Sequence, residues 1–300
     1  MARRDSYAPF QAFIRPAFRS ADSWRVLVML AGVEFALFVT FGVVYGFGDN
    51  ATAAPDTTPA ETVIGFLAFG ITLALFHLFA LLVHRRGIGS MTGPLRPLLR
   101  DFAMVALAIG LLRIVLELAP PFIDPAELAL TRDLGRWAAW LPVAVLAIGV
   151  QATTEEVIYR GYLQQQLAVL SSSRLVWMGI PAVMFGAAHY LNGLGPAEGL
   201  SWAIWAGTLG LACADLTART GNLGAAIALH LVNNLFATIV VAVEGWPASG
   251  LALFLYPYES PDAVDYGLST LLEPWSLLQM TTSLATIGLM WLTARLALRR

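Results

Sequence analysis

Residues 137–160 read WAAWLPVAVLAIGVQATTEEVIYR. Positions 137–152 form a run apolar enough to enter a lipid bilayer. The run closes on two adjacent glutamates, Glu155 and Glu156, with Arg160 four residues after the second. Uncompensated charge at membrane depth is costly, so ionisable side chains there are a functional hypothesis by default. Neighbours three or four apart share a helical face. Glu156 can therefore pair with Arg160, while Glu155 points about 100° away and stays free for work. A helix-end cluster snorkelling to the interface is the plainer reading of the same residues.

The whole chain supports the membrane reading. Of its 300 residues 58% are hydrophobic and 13% charged, against about a quarter charged in an ordinary soluble domain. A mean hydropathy of +0.69 leaves too little polar surface to cover a soluble globule, and several spans must share the apolar content. A formal net charge of −2 gives no reason to expect a nucleic-acid partner. All basic residues are arginine, which we read as biased composition. The single cysteine, Cys213, excludes an intrachain disulfide or a Cys-rich metal cluster, and its apolar setting marks a buried small residue.

Apolar segments at 24–47, 62–83, 101–119, 137–157, 174–191, 199–219, 222–243 and 275–297 are each roughly the length of a ~30 Å hydrocarbon layer. The first is longer than a signal-peptide core and lacks a cleavage site, so it reads as a retained span. The expected fold is all-α, a polytopic membrane protein of about eight transmembrane helices forming one integral domain over 1–300. Basic residues collect in the N-terminal arm (Arg3, Arg4, Arg15, Arg19), the second connection (Arg85, Arg86, Arg96, Arg100) and the C-terminus (Arg295, Arg299, Arg300). The first connection carries Asp49, Asp56 and Glu61, and the 244–274 stretch carries Glu244, Glu259, Asp262, Asp265 and Glu273, all without a basic residue. The positive-inside rule and an even span count then place both termini in the cytoplasm of a multi-pass cell-membrane protein. In the 120–136 connection, ELALTRDL reads as a short interfacial helix. The long 244–274 connection has no assignment.

Three further polar clusters lie inside the spans. FGAAHY sets Phe185 four residues before His189, and a lone histidine there is usually a satisfied interior one. ALHLVNNLF stacks His230 and Asn234 on one helical face, with Asn233 on a different side. This pair suits either interhelical bonding or a base with an oxyanion donor. Arg113 and Glu117 form a local i, i+4 pair; Glu34, His77 and His84 default to interhelical bonding or snorkelling. If the fourth and fifth helices run up to Ser171 and Ser172, Glu155 stands about 24 Å above that turn and His189 about 26 Å. An antiparallel pair makes them level. His230, ~12 Å above Asn222, matches if those helices project a turn or two into the cytosol.

In order, Glu155-Glu156-Val-Ile-Tyr-Arg160, Phe185-Gly-Ala-Ala-His189 and His230-Leu-Val-Asn-Asn234 resemble the motifs of the CAAX-protease and bacteriocin-processing family of intramembrane proteases, including its type 2 CAAX prenyl endopeptidases. Gly161, which often follows the arginine there, is present too. The resemblance covers about 137–243, the motif-bearing core. It implies an eight-span helical bundle with a cytoplasm-facing site in which Glu155, His189, His230 and Asn234 hydrolyse a peptide or membrane-protein substrate, with membrane lipid around it.

On that resemblance, Glu155 takes a proton from water with help from His189, and His230 and Asn234 donate to the oxyanion. Glu156, Arg160 and Phe185 support them. The competing chemistry makes Glu155, His189 and His230 ligands of zinc with an open water position. No H-E-x-x-H helix preorganises such a set, so the expectation is no cofactor. Two rival functions are a non-catalytic scaffold or immunity protein keeping the protease fold, and a proton-coupled transporter, for which no internal repeat is visible.

Overall fold

The computed structural model describes residues 6–46, 58–120, 123–246, 248–257 and 267–300. The charges of Arg3, Arg4, Asp49, Asp56, Glu259, Asp262 and Asp265 lie outside the described residues.

A helix forms at each apolar segment. They are α1 (Ser23–Tyr45), α2 (Pro59–His84), α3 (Leu95–Glu117), α4 (Leu134–Glu156), α5 (Ile180–His189), α6 (Pro196–Thr220), α7 (Gly224–Ile239) and α8 (Pro274–Leu298). Local chemistry fixes the ends. Thr58 and Glu61 form a reciprocal capping box at the start of α2, with Pro59 at its first position. Asp133 accepts from the Arg136 N–H at the start of α4. Gly221, at φ +71°, ends α6 in the left-handed region. The same glycine lets Pro9 of the N-terminal helix Ala8–Phe13 approach: a Cβ on it would stand 2.7 Å from the Pro9 carbonyl oxygen.

Two π-helical turns were not foreseen. One, Val157–Leu163, carries α4 straight into Gln164–Leu170; the other, Leu175–Gly179, leads into α5. The first begins one residue after Glu156 and contains Arg160 and Gly161, and such turns are frequent at functional sites.

Among the described residues, four helical stretches are long and apolar enough to cross a membrane: Ser23–Tyr45, Pro59–His84, Leu134–Leu170 and Pro274–Leu298. The others differ for visible reasons. Helix α3 carries Arg96, Arg100, Asp101 and Arg113, α6 carries Glu198, Asp215 and Arg219, and α7 has only 16 residues. Leu82, Leu107, Leu146 and Leu296 are each more than 60% exposed on the outside of the bundle. A helical exterior of that kind, on a chain this apolar, belongs in lipid. The chain is an all-α membrane protein.

The fold is organised around α7, buried continuously from Gly224 to Asn233. It packs against α3, α4, α6 and α8, which explains its run of small and aliphatic residues. Helices α5 and α6 approach closely. A Cβ on Gly186 would stand 2.4 Å from the Ala203 carbonyl oxygen and 3.2 Å from Gly207 Cα, a small-residue contact of the kind that joins helices in membranes. Gly186→Ala therefore forces the pair apart. It is expected to lower stability in detergent by about 1–3 kcal/mol and to shift His189 on the same helix; thermal unfolding followed by circular dichroism checks this.

The expected interfacial helix at ELALTRDL is corrected. Pro125–Glu127 is a 3₁₀ turn and Leu130–Thr131 is a strand, β1. Val241–Val243 (β2), at the end of the expected 222–243 span, and Phe254–Tyr256 (β3), in the 244–274 connection, complete a sheet of order β1-β3-β2. Strand β1 pairs antiparallel with β3, Leu130 opposite Leu255, and β2 pairs parallel with β3, Val241 opposite Phe254. The helix reading failed because two connections far apart in sequence satisfy each other's backbone groups. Arg132 Nε donates to the Ala252 carbonyl at 2.9 Å, and Trp137 Nε1 to the Ile239 carbonyl at 3.0 Å. The sheet thus covers the end of the bundle where α4 begins and α7 stops.

At the opposite end lie the N-terminal arm, the 85–100 connection and the C-terminus. Phe10, Phe13 and Ile14 are buried there, with Phe10 against Trp177 at 4.8 Å. Tyr7 donates to Asp215 at 2.6 Å, and Arg300 donates to the Arg219 carbonyl. Arg15, Arg19, Arg85, Arg86, Arg96 and Arg100 belong to this end, whereas Arg132 and Arg136 stand at the sheet end.

Candidate active site

Arg160 and Glu156 form the innermost element. Arg160 Nη1 donates to Glu156 Oε1 at 2.7 Å, and both side chains are fully buried. The guanidinium also lies 4.6 Å from the centroid of Phe185. Gly210 of α6 makes room for it: a Cβ there would come within 2.6 Å of Arg160 Nη2. A buried carboxylate facing an arginine is ionised and only accepts hydrogen bonds.

That settles a tautomer. Glu156 Oε1 also faces His230 Nδ1 at 2.8 Å, so Nδ1 must carry a proton and donate it. The other ring nitrogen, Nε2, faces Glu155 Oε2 at 3.4 Å. His230 thus stands between the two glutamates, tied to one and turned toward the other. Glu155 retains some access, with its side chain 13% exposed where His230 is 1%.

Helices α4 and α7 run antiparallel here, and a second rung crosses one turn away. Asn234 Nδ2 donates to Gln151 Oε1 at 3.0 Å, and Asn233 Nδ2 donates to Asn234 Oδ1 at 3.0 Å. Gln151 precedes Glu155 by one turn, just as His230 precedes Asn234. Asn233, read from the sequence as pointing elsewhere, reaches back to its neighbour.

His189 arrives from α5. Its Nδ1 lies 2.8 Å from the Phe185 carbonyl oxygen, an acceptor only, so this ring too carries its proton on Nδ1 and in its neutral form leaves Nε2 free. Phe185 lies between the two imidazoles, with ring centroids 4.5 Å from His189 and 5.6 Å from His230. Tyr159 closes against the same ring at 5.0 Å. Phe185 is therefore a shared wall rather than a remote support.

All seven residues singled out from the motifs fall in this one region. The groupings differ from the expected ones: His230 rather than His189 is paired with Glu155, and among the described residues no hydrogen bond joins His189 to Glu155. Gln151 escaped the sequence reading, although the same i, i+4 spacing that linked His230 with Asn234 would have linked it with Glu155. The remaining clusters are structural. Arg113 pairs with Glu117, beside a separate cavity of about 200 Å³ that Asn233 and Trp205 also line. His84 bonds Ser20 at 2.8 Å and Tyr162 at 2.9 Å, as interhelical bonding would have it. For zinc, the Nδ1-bound tautomers of His189 and His230 suit ligand geometry, yet among the described residues no three His, Cys, Asp or Glu side chains converge as a metal-holding group.

Residues 137–236 match the family model described as type II CAAX prenyl endopeptidase Rce1-like. The motif-bearing segment is similar to that family. The matched residues hold all three motifs, both π turns and the two-rung ladder. A curated relative, the uncharacterized protein YyaK of Bacillus subtilis (strain 168), is 27% identical over 150 residues. That match covers 48% of this chain and 49% of the relative, so the chain spans about half the length of the curated relative it matches. No solved structure matches. The Rce1-like resemblance thus rests on the segment that builds the site.

Proposed function

We propose that this protein is an intramembrane endopeptidase that hydrolyses a peptide bond near the membrane surface, with Glu155 activating water. The observation that carries the reading is His230 held by Glu156 and Arg160 with its second nitrogen turned to Glu155. In this reading His230 Nε2, which faces Glu155 Oε2 at 3.4 Å, is the donor toward the substrate and Glu155 is the carboxylate base. Glu155 takes a proton from water, and the resulting hydroxide attacks the carbonyl carbon. Asn234 N–H and His230 N–H stabilise the oxyanion. On collapse the proton on Glu155 passes to the leaving amine, and the carboxylate is restored. His189, with Nε2 free, is the second base of the site across Phe185.

The domain is a single integral unit over 1–300 with its catalytic core at 137–243, crossing the membrane about eight times. The more basic end lies in the cytoplasm by the positive-inside rule. His230 stands six residues beyond the start of α7 at that end, roughly 9 Å along the axis, which favours a site reached from the cytoplasmic side. The substrate is a peptide or membrane protein, and lipid surrounds the bundle. We propose that no metal takes part; chelation should leave cleavage unchanged, whereas stoichiometric zinc whose removal abolishes cleavage defeats that point.

The test is a comparison of membrane peptides in cells expressing the wild type or Glu155→Gln at equal levels. The expected result is a membrane peptide that accumulates uncut only with the variant. Identical peptide profiles, with the same cellular phenotype, would mean a scaffold rather than an enzyme.

A further inference from the structure

Asn234 can act as an oxyanion donor in only one of the two flips of its carboxamide, so whatever decides the flip decides whether the donor exists. A carboxamide offers two N–H donors on one side and a carbonyl oxygen on the other. In Asn234 both sides are engaged: Nδ2 donates one hydrogen to Gln151 Oε1, and Oδ1 accepts from Asn233 Nδ2, each at 3.0 Å. Turning this group alone by 180° would set oxygen against oxygen at Gln151 and nitrogen against nitrogen at Asn233, and only a turn of all three carboxamides together would restore the bonds. Both bonds would otherwise be lost at holders with little exposure of their own, Gln151 and Asn233 being each only 5% exposed. Asn234 itself is half-buried. The two holders are shut away while the held group keeps access, and one Nδ2 hydrogen remains uncommitted by these bonds.

We propose that Gln151 and Asn233 are positioning residues that lock the Asn234 carboxamide in the donor orientation; this rests on the hydrolase reading above. The placement of Gln151 makes the lock part of the catalytic frame. It sits one turn before Glu155 on α4, as Asn234 sits one turn after His230 on α7. The base and the oxyanion donor are thereby referenced to the same two helices through two adjacent rungs, Gln151–Asn234 and Glu155–His230. A small sliding of α7 along α4 would disturb both together, whereas packing that preserves the ladder keeps water activation and charge stabilisation in register. Simple interhelical cohesion needs only one such bond and has no reason to engage both sides of the held amide.

The experiment uses the full chain in detergent micelles and has two readouts. With asparagine labelled in nitrogen-15, the side-chain signals of Asn234 are identified by their loss in Asn234→Ala. In the wild type one of its two amide protons is shifted and slow to exchange; in Gln151→Leu the two become equivalent in exchange. Cleavage is followed on a synthetic copy of the peptide that accumulates with Glu155→Gln. Gln151→Leu should lower kcat about tenfold with KM within twofold, and add no further loss to Asn234→Ala. Asn233→Leu, which leaves the bond to Gln151 in place, should lower kcat likewise and serves as the kinetic test if Gln151→Leu does not fold. Wild-type exchange of Asn234 in Gln151→Leu overturns the proposal, as does wild-type kcat in Asn233→Leu or a loss in either that adds to that of Asn234→Ala. A wild-type protein that does not cleave the peptide overturns the hydrolase reading itself, a distinct failure from a cleaving wild type beside a fully active Gln151→Leu.

Discussion

Arg160→Met is expected to destabilise the protein by about 3–5 kcal/mol, because it leaves Glu156 ionised, fully buried and without its counter-charge. For a chain of this size that corresponds to a fall in melting temperature of about 5–8 °C in detergent. Removing both charges is a different experiment. Arg160→Met with Glu156→Leu buries two apolar side chains of similar bulk, and most of the stability should return, since a buried ion pair is often no better than a well-packed apolar replacement. Activity should not return with it. His230 loses the acceptor that fixes its Nδ1 proton, and with it the orientation toward Glu155. Thermal melts of both variants, set beside cleavage rates, check the prediction; a single variant as stable as the wild type would mean that the pair is not buried as described.

That pair was legible in the sequence because its geometry is local. Glu156 and Arg160 lie four apart, and only a membrane-depth setting had to be inferred to make their pairing obligatory. The helix positions were legible for the same reason: an apolar run of sufficient length in lipid has few alternatives to a helix. What could not be read was anything settled by distant partners. Residues 130 and 131 form a strand only because Phe254 and Leu255 lie beside them, and no local pattern in ALTRD announces it. The π turn at Val157–Leu163 is likewise invisible in composition. It becomes intelligible once Gly161 is seen against Met91, where a Cβ would stand 2.7 Å from a carbonyl oxygen.

The site was legible as a set of residues and less so as a set of pairs. Periodicity placed His230 and Asn234 on one face and left Glu155 unpaired. Which imidazole faces Glu155 depends on how α4, α5 and α7 pack, and the sequence reading gave His189 only the role of helping Glu155. Phe185 packs against both imidazoles, and His230 turns one nitrogen toward each glutamate. Gln151 was overlooked because a glutamine in an apolar run carries no charge to attract attention, although its cost when unpaired in lipid is of the same kind.

The two adjacent glutamates should differ in stability under the same substitution, which separates catalysis from architecture more cleanly than any single variant. Glu155→Gln changes a partly accessible carboxylate whose Oε2 has no hydrogen bond in the folded protein. Little structure depends on its charge, so stability should stay within about 0.5 kcal/mol of the wild type. Its loss as a base should nevertheless reduce cleavage by about 10²–10⁴-fold. Glu156→Gln removes the one counter-charge of a fully buried arginine and the acceptor of the His230 proton. It should cost about 3–5 kcal/mol in stability, and the fraction that remains folded should cleave slowly because the imidazole is free to turn. Melting temperature and cleavage rate measured on the same preparations give the comparison directly. Equal stability losses for the two variants, or a Glu155→Gln protein cleaving at the wild-type rate, would contradict the division of labour: Arg160 and Glu156 would then no longer be the fixed support, and Glu155 no longer the working group.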